Sequence, residues 1–280
     1  MPRGSAVHRS PNEYAKELLQ RLNVTSVPIY PRKIAKKMGI LIWEREAEAG
    51  YDGYLISANG TWGIMINSSI KSKTRQRFTV AHELGHYCIG HHNGTNYRCF
   101  RSDIGAMGLS DKQDEREANE FAVELLMPDE YFKEDIRQQD ISLETINALA
   151  AKYETSMTST AIRYARLSSD ACAIIVSERG KVKYFAYSEG FKDRKCLYLS
   201  RNVPLQDGCY AKRMFDEKFQ IHEERGEVTA SSWSDNVSDP GAIMLEHSRC
   251  LPKFKQVLSL IWFLERRKKR PKQIAHILVE

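Results

Sequence analysis

Up to about Leu167 the apolar residues fall mostly at helical spacing, and beyond Ser168 they fall in short strand-like runs. Pro11-Asn12 opens a first helix, with Tyr14, Leu18, Leu19 and Leu22 as its apolar stripe. Residues 1–10 lack such a pattern and are expected to be disordered. Pro31 opens a short helix carrying Ile34, Ala35 and Met38, and Gly39 stops it. Ile40–Trp43 reads as a strand. Tyr54–Ser57 and Trp62–Asn67 flank Asn59-Gly60, a pair that tolerates the positive φ of a type I′ hairpin turn. A helix is expected from about Arg75 to Gly90, and a polar loop over His91–Ser110. The next helix, capped by Ser110 or Asp111, runs to Leu126 and stops before Pro128. Leu143–Tyr153 and Ser159–Arg166 follow as two further helices.

Ala173–Ser177 and Val182–Tyr187 flank Arg179-Gly180 as a second hairpin. Cys196–Leu199, Glu227–Ser231 and Ala242–Glu246 read as further strands, and Phe254–Lys268 as a closing helix or strand-helix. Helices and strands segregate rather than alternate, which is the α+β pattern. The change of texture near Ser168–Ala171 divides the chain into residues 11–168 and a smaller α+β region, 169–280.

Composition excludes some classes. With 42% hydrophobic and 28% charged residues the chain can bury a core and stay soluble. No apolar run approaches the roughly 18 residues of a membrane span, and no apolar segment follows the basic N-terminus as a secretion signal requires. The expected location is the cytoplasm, and no membrane partner is expected. The six cysteines form no CxxC pair and are expected to be reduced thiols. The net charge of +6 is mild. The dense basic run Arg266–Arg270, with Lys272, reads as a solvated helix end, so DNA contact has thin support.

The candidate chemistry is concentrated in His82-Glu83-Leu84-Gly85-His86. Residues four apart on a helix differ by about 40° in azimuth, so both imidazoles leave one face and can meet one zinc ion. Glu83 lies about 100° round from His82, where its carboxylate can serve as general base toward water acidified by zinc. A catalytic zinc needs a third protein ligand, and the acidic helix around Asp114–Ala122 offers carboxylates. Its apolar face centres on Ala118, with Phe121, Ala122, Leu125 and Leu126. Glu115 falls about 60° from Ala118, on that face, where a carboxylate is costly unless bound. It is the expected third ligand, with a buried Arg75 or Arg77 as the competing partner. Glu117 and Glu120 read as a solvated acidic face. Asn119, one turn beyond Glu115, is placed to support a histidine or Glu115 by hydrogen bonding. His91 and His92 read as loop residues, and Cys88 as a small buried side chain. His222, His247 and Tyr153 are possible additional donors that nothing local selects. Trp62–Asn67 leads into the metal helix and is either an edge strand for an extended substrate or an ordinary sheet strand.

These residues together resemble a known family. Arg75–His86 with Ile64–Asn67 before it, and Glu115–Pro128 after it, closely resemble the ImmA/IrrE metallopeptidases in order and spacing over about Asn12–Leu167. The resemblance implies a zincin-like fold followed by a helical pair like a helix-turn-helix, a Zn2+ cofactor, and Glu115 as ligand four residues before Asn119. It also implies a substrate class: relatives cut helix-turn-helix repressors, releasing genes of stress responses or mobile elements. By analogy residues 169–280 would be regulatory. The expected function is therefore zinc endopeptidase acting on a regulatory protein. The alternative from another class is a non-catalytic DNA- or partner-binding regulator, toxin-antitoxin or phage-related, using the zincin core as scaffold, with Leu143–Leu167 and the basic tail as the features behind it.

Overall fold

The computed structural model describes residues 9–263 apart from Ala49, residues 92–95, residues 101–111 and Gln138. Of residues 1–10, expected to be disordered, 1–8 lie outside the described residues, as do the Ser110 or Asp111 cap, His92 and the basic run Arg266–Lys272; Arg9 pairs with Glu17 and Ser10 caps the first helix.

The first half holds seven helices and one sheet among the described residues. Helix α1 (Pro11–Arg21) begins at Ser10, whose hydroxyl accepts from the Glu13 amide while the Glu13 carboxylate accepts from the Ser10 amide. This reciprocal cap contributes about 1 kcal/mol. Helix α2 (Pro31–Lys37) leads into strand β1 (Leu41–Arg45). Strands β2 (Tyr51–Ala58) and β3 (Thr61–Asn67) form the expected hairpin, with positive φ at both Asn59 and Gly60. Helix α3 (Lys73–Cys88) follows, capped by Ser72. Strand β4 (Asn96–Phe100) lies inside the stretch expected to be loop. Helices α4 (Gln113–Leu126) and α5 (Asp129–Ile136) come next, then α6 (Leu143–Tyr153) and α7 (Met157–Leu167). Ser142 and Ser156 cap the last two, and Glu154 closes α6 in the left-handed conformation. Helix α5 was not anticipated.

The first sheet has the order β1-β3-β2-β4. Strand β3 pairs with β1 in parallel and with β2 antiparallel, so it is interior. Of the two readings of Trp62–Asn67, the structure has the ordinary sheet strand: among the described residues the edges are β1 and β4.

The second sheet joins β5 (Cys172–Glu178), β6 (Lys181–Tyr187), β7 (Glu223–Thr229), β8 (Ile243–Leu251) and β9 (Gln256–Phe263) in the order β6-β5-β9-β8-β7, with every pair antiparallel. Short helices α8 (Glu189–Asp193) and α9 (Tyr210–Asp216) cover it, and neither was expected. Cys196–Leu199 is not a strand, since pairing there is limited to an isolated bridge from Leu197 to Val237. The expected strand ending at Ser231 gives way to a 3-10 turn at Ala230–Ser232, and the closing segment is strand through Phe263. The apolar core continues across residue 168: Ile162 and Tyr164 belong to one cluster with Ile174, Val176, Leu258 and Leu260. Among the described residues no helix is long and apolar enough to cross a membrane.

Candidate metal centre

Helix α3 carries its histidine face against α4 and its glutamate toward β2. Thr79, Val80, Ala81, His82, Glu83, Leu84, Gly85 and His86 are all buried, so this is a central helix rather than an amphipathic surface one. Gly85 lets α4 come close. A Cβ there would stand 3.0 Å from Ala118 Cα and 3.1 Å from Ala118 O. That approach brings Glu115 to the histidines.

Three atoms converge. His82 Nε2 lies 3.0 Å from Glu115 Oε2 and 3.1 Å from His86 Nε2, and His86 Nε2 lies 3.6 Å from Glu115 Oε2. Asn119 Oδ1 lies 3.0 Å from His82 Nδ1, which therefore carries its proton toward Asn119 and leaves Nε2 as a lone pair. Such atoms repel one another at this separation unless a proton or a cation lies among them. Burial alone would raise the Glu115 carboxyl; positive charge on the imidazole side, a proton on His82 and His86 or a cation in its place, holds it below the usual carboxylate range. The donor set also suits a divalent ion. Tetrahedral zinc with bonds of about 2.0–2.1 Å has ligand–ligand edges of about 3.3–3.4 Å, and the three separations of 3.0, 3.1 and 3.6 Å span that value.

Glu83 is set apart from the cluster. It has no exposed surface, and among the described residues neither carboxylate oxygen has a hydrogen-bond partner. Burial first, and the negative charge of Glu115 second, raise its carboxyl well above the usual value. Leaving such a group unsatisfied costs stability. Its neighbour is Gly53 of β2, where a Cβ would stand 2.5 Å from Thr79 Cγ2 and 3.1 Å from Glu83 Oε1. Sequence reasoning missed Gly53, although a glycine inside a strand signals close approach of another group. It also missed Tyr97 of β4, whose ring lies on His86 at 4.3 Å and 12°. Nothing in the sequence marks that contact.

The structure disposes of the competing partners. Arg75 pairs with the buried Asp52, and Arg77 with Glu154 and the carbonyls of Ile29 and Tyr153, so neither meets Glu115. Glu117 is buried, which corrects the expected solvated face: it pairs with His91 and accepts from Gln113 at 2.8 Å. Glu120 is exposed as expected. Cys88 lies off the cluster and burial pushes its thiol up to about 12. Tyr153 donates its hydroxyl to Asp135 at 2.7 Å, and His247 Nδ1 accepts the Leu143 amide at 3.2 Å. His222 is exposed, and its carbonyl accepts the Cys250 amide at 2.8 Å. Among the described residues the structure gives none of the three a contact with His82, His86 or Glu115.

Comparison with known proteins agrees with this geometry. Residues 35–164 match the family model described as the IrrE N-terminal-like domain, Peptidase_M78. Residues 35–164 are an ImmA/IrrE-family domain. Every residue of the convergent cluster falls inside that span. Among solved structures, one named a Mycobacterium tuberculosis transcriptional regulator matches with a TM-score of 0.57 at 11% identity, over 90% of this chain and 76% of that one. At that identity the likeness is one of fold, and it extends beyond the ImmA/IrrE-family domain into the second sheet. Comparison with curated proteins gives no match.

Proposed function

We propose that the chain is a zinc-dependent endopeptidase that cleaves a regulatory protein, a helix-turn-helix repressor being the substrate class. The observation that carries the peptidase reading is the pairing of a convergent His82–His86–Glu115 cluster with an unpartnered, fully buried Glu83 beside it. The family membership supports the same reading, and the substrate class rests on the resemblance to that family.

His82, His86 and Glu115 would hold the ion, and Asn119 would keep His82 in the tautomer that ligates. Zinc held there supplies Lewis acidity, which acidifies water and polarises a peptide carbonyl. Glu83 does the proton work. Burial, and then the charge of Glu115, holds its carboxyl above the usual carboxylate value, which makes it a stronger base than an exposed glutamate. It accepts one proton from the attacking water as the new C–O bond forms, and delivers it to the departing amine as the C–N bond breaks. Gly53 leaves the space beside its carboxylate free of a side chain.

The fold likeness to a protein named a transcriptional regulator keeps a second reading, a non-catalytic regulator. Its binding element would be the α6–α7 pair. Arg163 of α7, however, is committed to Glu124, Asp129 and the Met127 carbonyl inside the protein, and so is not offered to a phosphate backbone. The deciding experiment is cleavage of a co-expressed small helix-turn-helix repressor before and after chelation. Cleavage that is lost on chelation and restored by zinc supports the peptidase. Metal-independent DNA binding with a steep salt dependence and no cleavage supports the regulator.

A further inference from the structure

We propose that β4 is an autoinhibitory strand, holding the place on the β2 edge that an extended substrate segment must take, so that substrate enters by exchanging with it. This rests on the peptidase reading above. The starting observation is access. Glu83 and His82 have no exposed surface and His86 is 2% exposed. A general base must come within about 3 Å of the water it deprotonates. The site as it stands cannot meet a polypeptide, so some element must yield.

The register shows which. Gly53 is the stretch of β2 against Glu83, and β2 has two neighbours. On one side is β3, which is paired on both of its own edges and contributes the fully buried Ile64 and Ile66 to the core. On the other is β4, five residues long and paired to β2 antiparallel, with Gly53 opposite Cys99 and Leu55 opposite Tyr97. Adjacent strands are about 4.8 Å apart. A chain in β4's position therefore runs about 4.8 Å from Gly53, the residue of β2 that lies against Glu83. A chain added outside β4 would lie about 9.6 Å from β2, twice as far. The second observation is Tyr97. Directly opposite Leu55, it shares that residue's face of the sheet and lies flat on the His86 ring. It occupies the space a substrate side chain would fill. Strand β4 is also the element best suited to leave, since short edge strands sit at the low-stability end of a fold. The ligand is thus an extended polypeptide segment, antiparallel to β2, with a planar or aromatic side chain at the position opposite Leu55.

The test uses the zinc-loaded full chain carrying Ile56→Cys and Asn96→Cys, which are direct partners across the β2–β4 ladder. Oxidation staples the strand and dithiothreitol frees it, the link being verified by mass spectrometry. Affinity for a peptide hydroxamate and cleavage of a pooled library of unstructured decapeptides are read in both states. The expected result is at least a tenfold loss of both on oxidation, reversed by reductant, with zinc content unchanged. Equal hydroxamate affinity in the two states overturns the proposal, whatever the cleavage result. Staple-sensitive affinity without cleavage in either state keeps strand exchange and removes the peptidase reading. A second measurement needs neither the staple nor bound zinc. In the unmodified chain, saturating decapeptides should speed hydrogen exchange of the β4 amides at least tenfold while those of Gly53–Ile56 stay protected. Unchanged β4 exchange overturns the proposal.

Discussion

Replacing Gly85 by alanine should weaken metal binding far more than it weakens the fold. The new Cβ would stand 3.0 Å from Ala118 Cα, 3.1 Å from Ala118 O and 3.2 Å from Phe121 Cδ1. Ordinary carbon contacts begin near about 3.5 Å, so α4 must retreat by roughly half an ångström. Two of the three clashes are with backbone, which cannot swing aside as a side chain does. The stability terms oppose each other. Alanine gains about 1 kcal/mol over glycine in a helix interior, and overpacking costs about 1–3 kcal/mol. The net loss should be no more than about 2 kcal/mol. The metal is less tolerant, because ligand positions matter to about 0.2 Å. Glu115 rides on the same helix, one turn before Ala118. We therefore expect zinc affinity to fall by about 10- to 100-fold, comparable to disturbing the support of a metal ligand. Competition with a chromophoric chelator gives the affinity, and urea denaturation in the presence of EDTA gives the stability. Adding Ala118→Gly should not rescue, since it removes none of the three clashing atoms. Zinc affinity within twofold of the unaltered chain, or full rescue by Ala118→Gly, would refute the reasoning.

Three further outcomes follow from the same geometry. Glu115→Ala should lose zinc under mild chelation while Glu117→Ala keeps it, because Glu117 is engaged with His91 and Gln113; the reverse order would mean that the ligand has been misassigned. In EDTA, Glu83 should make stability fall as pH rises above its ordinary value of 4.5, because the folded state holds a proton that the unfolded chain releases. Glu83→Gln should flatten that decline, whose slope is at most about 1.4 kcal/mol per pH unit, and parallel urea-denaturation profiles from pH 4.5 to 8 would contradict this. Burial pushes the thiols of Cys88, Cys172 and Cys209 up to about 12, so iodoacetamide at pH 8 should modify them at least 100-fold more slowly in the folded chain than in urea. Mass spectrometry of timed digests reads this, and rapid labelling of Cys172 in the folded chain would count against it.

The cluster was legible because it depends on local geometry. The four-residue spacing of His82 and His86 and the azimuth of Glu115 and Asn119 on α4 are properties of helices, and the four side chains do converge. The same argument failed for Glu117, and the reason is physical. Helix α4 packs against both α1 and α3, so ten of its fourteen residues are buried and no single stripe divides inside from outside. Strand β4 was invisible because its order depends on β2, more than forty residues earlier in the chain. Whether β3 is an edge or an interior strand was left open for a related reason. Its alternation of side chains is the same whether one neighbour pairs with it or two, and the parallel partner β1 leaves no mark on its sequence. In the second half, Cys196–Leu199 has strand-like composition but its neighbours give it one bridge rather than a ladder.

The central claim is that Glu83 moves the proton in a metal-assisted peptide hydrolysis, and one comparison tests it most directly. The zinc-loaded chain and its zinc-loaded Glu83→Gln variant are incubated with the same helix-turn-helix repressor, and the cleavage rates are compared at equal zinc content. The amide is nearly isosteric and leaves His82, His86 and Glu115 in place, but it cannot take a proton from water. The account predicts that both proteins hold one zinc and that the variant is slower by about 10²- to 10⁴-fold, the contribution expected of a positioned general base. Equal cleavage by the two proteins would contradict it.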